Sequence, residues 1–158
     1  MGTDHLVRLS SGVRMSYREV GPATGRPVLY LHGTPSSRME VGGTLSDEAA
    51  TLGLRILAPD RPGYGRTPFV QYDVRDYPEH IMGLLDVLEV GRVGIIGVSG
   101  GGRYACAARS GSRVSRTALV ASPHPPTSMV CAPPGAREIG SCTHLPCGHR
   151  GCCARIWP

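Results

Sequence analysis

Two short runs near the start of the chain, HLVRLS and VRMSYREV, alternate apolar and polar positions and are separated by Ser11-Gly12. A period of two places every second side chain on one face of a strand, so the pair predicts a β-hairpin. GPATGRP interrupts the alternation, and VLYLH, Val28 to His32, follows as a compact apolar run of the kind buried strands show. Gly33-Thr34-Pro35 then turns the chain. Ser37-Arg38-Met39-Glu40 has the spacing of a capping box, in which a hydroxyl and a carboxylate each satisfy a free N–H of the first turn. A helix from about Ser37 to Leu52 is predicted, weakened by Gly42-Gly43.

LRILAP, Leu54 to Pro59, is a second strand of the buried type and ends in the Gly/Pro-rich loop DRPGYGRTP. The clearest helix comes next, because Tyr77, Ile81, Leu84, Leu85 and Leu88 recur on one face, with Asp73 or Asp76 placed near its start. RVGIIGV reads as a strand, Gly100 to about Arg109 as a helix of small residues, and VSRTALVAS as one more strand. This alternation predicts an α/β fold: a mostly parallel sheet, opened by an antiparallel hairpin and covered by helices on both faces.

A chain of 158 residues can bury one core, and its apolar content of 41% is that of a globular protein. No apolar run approaches the roughly 18 to 20 residues that span a bilayer, and the N-terminus lacks the pattern of a secretory signal. The expected setting is cytoplasmic, away from membranes. The net charge of +5 is uneven: residues 90–158 hold eight arginines against Glu138 as the one acid. Those arginines are scattered, with few aromatics to stack bases and no nucleic-acid module, so no nucleic-acid partner is expected. All 17 basic side chains are Arg, a bias suggesting GC-rich codons. Oligomeric state leaves no signal in the sequence.

The chemistry concentrates in Gly97-Val98-Ser99-Gly100-Gly101. This is G-x-S-x-G with a strand before it and a helix after it, the context in which a sharp turn lifts a serine hydroxyl clear of the sheet. Side chains at Gly97 or Gly101 would collide with the adjoining strand or helix, and the helix N-terminus favours developing negative charge. With His32-Gly33-Thr34-Pro35 and Asp60-Arg61-Pro62-Gly63-Tyr64-Gly65 in the same order, residues 5–122 resemble the serine-nucleophile branch of the α/β-hydrolase family.

The resemblance implies that Ser99 is the nucleophile and that the backbone N–H groups of Thr34 and Gly100 form the oxyanion hole. It implies hydrolysis of an ester, amide or similar small acyl substrate through an acyl-enzyme, with no cofactor. Dehalogenase and epoxide-hydrolase relatives place Asp at the elbow, so Ser99 disfavours those reactions. His32 and Gly33 are assigned to shaping the loop, and Asp60 and Arg61 to anchoring their turn, because the family's catalytic histidine comes last in the chain. Tyr64 either lines the pocket or packs, and Cys106 reads as a small buried apolar group.

Serine needs a base to take its proton and a carboxylate to orient that base. After Ser99 the chain offers Glu138 and His124, His144 and His149, and Glu138 followed by His144 or His149 keeps the family's order without its strand context. Acid and base are therefore not assignable, and the chain is expected to be weakly active or inactive. Residues 123–158 show no helical or strand periodicity and hold five of the six cysteines. They are expected to be an irregular tail, translated out of frame or across a wrong coding boundary, beyond an N-terminal hydrolase part at 1–122. Two alternatives stand beside this reading: a non-catalytic binding protein on the hydrolase scaffold, and a zinc-dependent module built from Cys142, His144, Cys147, His149, Cys152 and Cys153.

Overall fold

The computed structural model describes residues 2–109, 113–120 and 137–138. Its strands are β1 (Thr3–Arg8), β2 (Arg14–Val20), β3 (Arg26–Leu31), β4 (Leu54–Pro59), β5 (Val93–Val98), β6 (Val114–Val120) and β7 (Arg137–Glu138). They form one sheet in the order β1-β2-β4-β3-β5-β6-β7. β1 and β2 are the expected hairpin, in register from Thr3 opposite Glu19 to Arg8 opposite Arg14. From β4 onward all pairings are parallel. The chain leaves β3, returns beside it as β4, then crosses to the other side of β3 as β5. The C-terminal ends of β3 and β5 therefore face a topological switch point, where connections to opposite faces leave a crevice.

The alternation along the central strands feeds two cores. Leu29 and Leu31 of β3, Leu57 of β4, and Val93 and Ile95 of β5 pack with Tyr77, Ile81, Leu84 and Leu85 of α2 (Tyr77–Val87) and with Ala105 and Ala108 of α3 (Gly102–Ala108). On the other face Ile56 and Ala58 pack with Val20, Val41 and Ala49, the last from α1 (Thr44–Thr51). Each fully buried leucine or isoleucine contributes on the order of 2 kcal/mol through removal from water. The i, i+4, i+7, i+8 spacing on α2 thus corresponds to an observed buried face. Asp76 precedes α2, and its carboxylate accepts the Asp73 N–H at 2.8 Å instead of capping the helix.

The helix expected from Ser37 to Leu52 is broken in two. A single 3-10 turn covers Arg38–Glu40, and α1 begins only at Thr44, because Gly43 at φ 51° and ψ −125° cannot continue a helix. The capping box does not close. Ser37 Oγ accepts from the Met39 N–H at 3.3 Å, while the Glu40 carboxylate turns to the Gly33 N–H, at 3.0 and 3.2 Å. β6 begins at Val114 as expected, and part of it pairs with β7, Ala118 beside Arg137 and Leu119 beside Glu138. A two-residue strand leaves no periodicity, and none was anticipated after Ser122. Among the described residues no helix is long and apolar enough to cross a membrane.

Candidate active site

β5 ends at Val98, at φ −106° and ψ 128°, and a 3-10 turn over Ser99–Gly101 leads straight into α3. Between extended and helical backbone Ser99 takes φ 47°, one of two non-glycine residues with positive φ among those described. That conformation costs a non-glycine residue about 1 to 2 kcal/mol. It also leaves the Ser99 side chain exposed at the end of the sheet. The glycines make the turn feasible. A Cβ at Gly97 would lie 2.7 Å from Ala105 Cβ and 3.0 Å from Gly101 O, and one at Gly101 would lie 2.1 Å from Leu31 O. No side chain fits either space.

The loop after β3 lies against this turn. A Cβ at Gly33 would fall 3.6 Å from Ser99 Cβ, and one at Gly100 would fall 3.3 Å from Thr34 N and 2.6 Å from Thr34 Oγ1. Ser99, Gly33, Thr34 and Gly100 are therefore brought together at the switch point, with Thr34 and Ser99 both exposed. The Thr34–Pro35 peptide is cis.

Behind the loop lies His32, fully buried. Gly33 O can only accept, so His32 Nδ1–H donates to it at 2.8 Å, and His32 Nε2 accepts the Arg61 N–H at 3.3 Å. Both ring nitrogens are thus occupied within the loop. Burial is the main cause that lowers the His32 pKa below its usual value, and the nearby Arg61 guanidinium lowers it further. A neutral ring with no free nitrogen is a support, not a proton carrier. His5 stacks on Tyr17, His80 packs on Tyr72 and Tyr77, and neither meets Ser99.

Arg61, 1% exposed, grips the same loop from the other side. Its guanidinium donates to His32 O through Nη1, and through Nη2 to Gly33 O and Thr34 Oγ1, both at 2.9 Å. The Tyr64 and Tyr104 rings flank it, each centroid 4.7 Å from Cζ. Tyr64 thus packs on this cation and on His32. Asp60, also fully buried, accepts from Ser16 Oγ at 2.6 Å, Arg38 N–H at 2.6 Å, Arg38 Nη1 at 2.8 Å and Arg66 N–H at 3.0 Å. Gly65, at φ 53°, has no room for a Cβ, which would lie 2.1 Å from Asp60 Oδ2.

Sequence reasoning missed Glu40 and Arg38 as parts of this site. The cap spacing pointed Glu40 at its own turn, and nothing in one sequence marks Arg38 as the buried partner of an acid 22 positions away. Glu138 lies on β7, whereas His124, His144, His149 and the proposed zinc ligands lie outside the described residues. No group of metal-binding side chains occurs among the described residues.

Comparison with known proteins bears on the same geometry. A family model described as "Alpha/beta hydrolase family" matches residues 28–149, continuing past Ser122. A non-heme chloroperoxidase of Streptomyces lividans is 34% identical over 131 residues, 79% of this chain and 46% of its own. A 2-hydroxy-6-oxo-2,4-heptadienoate hydrolase of Pseudomonas putida is 32% identical over 118 residues, 71% of this chain and 42% of its own. Among solved structures, an epoxide hydrolase superposes with a TM-score of 0.66 at 28% identity, covering 75% of this chain and 42% of its own. The chain thus spans less than half the length of these relatives.

Proposed function

The chain belongs to the alpha/beta hydrolase family, and from that premise we propose that it carries the nucleophile and oxyanion hole of a serine hydrolase acting on small acyl compounds. The observation that carries this reading is the exposed Ser99 at φ 47°, beside Thr34 and Gly100. In the proposed step Ser99 Oγ attacks an acyl carbon and loses its proton to a base. Negative charge collects on the former carbonyl oxygen, which the N–H groups of Thr34 and Gly100 stabilise. Collapse expels the alcohol or amine, which takes up a proton, and leaves an acyl ester on Ser99 for water to cleave.

Relatives of this chain bear the names of a hydrolase, a chloroperoxidase, haloalkane dehalogenases and an epoxide hydrolase. A serine at position 99 favours acyl chemistry over the reactions its resemblance assigns to an elbow aspartate. None of the described histidines serves Ser99, so the reading includes slow turnover: acylation outruns deacylation. Incubation with p-nitrophenyl acetate tests it. A stoichiometric release of p-nitrophenol, with a 42 Da acetyl adduct expected from the reagent's chemistry on the peptide holding Ser99, supports the reading. Absence of that adduct, or its persistence in Ser99→Ala, refutes it. The boundary at Ser122 is also part of this proposal, and the nucleotide sequence beyond that codon tests whether the frame is intact.

A further inference from the structure

We propose that the Thr34 hydroxyl is a third donor to the oxyanion, oriented by Arg61; this rests on Ser99 being the nucleophile. A guanidinium has donors only, so in its 2.9 Å contact with Arg61 Nη2 the Thr34 oxygen accepts. The hydroxyl proton is then left to point elsewhere, and among the described residues no acceptor receives it. Thr34 is exposed, as Ser99 is, whereas the guanidinium on the other side of its oxygen is buried, so the open direction for the proton is outward.

Geometry narrows that direction. A Cβ at Gly100 would lie 2.6 Å from Thr34 Oγ1 and 3.3 Å from Thr34 N, so hydroxyl and amide of Thr34 border the same small space next to Gly100. An oxyanion entering between the amides of Thr34 and Gly100 comes within reach of the hydroxyl. Arg61 is suited to hold it. Its other contacts reach His32 O and Gly33 O, two aromatic rings enclose its plane, and it is 1% exposed. A hydroxyl that accepts from a cation is polarised and donates more strongly to an anion. Thr34 would thus be a catalytic residue, and Arg61 a positioning residue.

The test uses the full chain and the rate at which a fluorophosphonate modifies Ser99, followed by intact mass at alkaline pH. A matched fluorothiophosphonate, whose sulfur accepts hydrogen bonds poorly, serves as comparison. Thr34→Val keeps the side-chain shape and removes the donor; Thr34→Ala is read the same way if the valine variant fails to fold. The expected result is a loss of roughly tenfold or more with the oxygen probe, a loss below about threefold with the sulfur probe, and recovery of most of the lost rate in Thr34→Ser. Equal rates in Thr34→Val and the unmodified chain overturn the proposal. So does equal slowing of both probes, which marks a structural role. If the unmodified chain is not labelled at Ser99, the reading of Ser99 falls first and this inference with it.

Discussion

A serine held at φ 47° gives up about 1 to 2 kcal/mol relative to an unstrained conformation, and a turn built only for stability would place glycine there. Ser99→Gly is therefore expected to raise the unfolding free energy by about 1 kcal/mol while removing all modification at this position. Denaturant melts and labelling of the two chains check both halves; a variant no more stable than its parent removes the argument from strain. The glycines behave oppositely. A methyl at Gly101 meets two backbone oxygens, Leu31 O at 2.1 Å and His32 O at 2.7 Å, neither of which can step aside. Gly101→Ala is expected to lose about 3 kcal/mol or more. Gly91→Ala, with nothing within 4 Å of the new methyl, is the control and should change stability by less than about 0.5 kcal/mol. At this scale much was legible in the sequence, because a serine between glycines after an apolar run limits the backbone to few shapes. The aim of the Thr34 hydroxyl was not, since it depends on Arg61, 27 positions away.

Between elements, a chain of alternating charges ties the opening hairpin to the loops of the site. Arg18 of β2 donates to Asp4 of β1 at 2.7 and 3.1 Å, Arg38 of the 3-10 turn reaches Asp4 at 3.1 and 3.3 Å, and Arg38 also donates to Asp60 at the end of β4. Hydrogen bonds from Arg18, then those and the charge of Arg38, lower the Asp4 pKa from 3.8 to about 2 against the opposing effect of burial. A carboxylate with a lower pKa in the folded state contributes stability above its unfolded value and loses it as pH falls toward the folded one. Unfolding free energies compared with Asp4→Asn should therefore show an advantage of about 1 kcal/mol for Asp4 above pH 5, disappearing as pH falls toward 2. An advantage independent of pH contradicts the assignment. The hairpin itself was legible from alternation alone. The break between Ser37 and Thr44 was not, because one glycine pair reads as a weakened helix and only the pull of Gly33 on Glu40 shows why the capping box opens.

Across the whole molecule, connections that leave β3 in two directions set the topological switch point, and Ser99 is the nucleophile candidate that follows β5 there. The order of motifs along the chain made the architecture legible, since each Gly-rich turn follows an apolar strand. Beyond β6 a two-residue β7 carries no pattern a sequence reading could recover. The chain spans 46% and 42% of the length of two curated relatives. The turn after β5 is proposed to expose a reactive serine, and treating the chain with a fluorophosphonate and mapping the modified peptide by mass spectrometry reads this out. One adduct is expected, on Ser99 and absent from Ser99→Ala; an unmodified Ser99, with the adduct on another residue or on none, overturns the assignment.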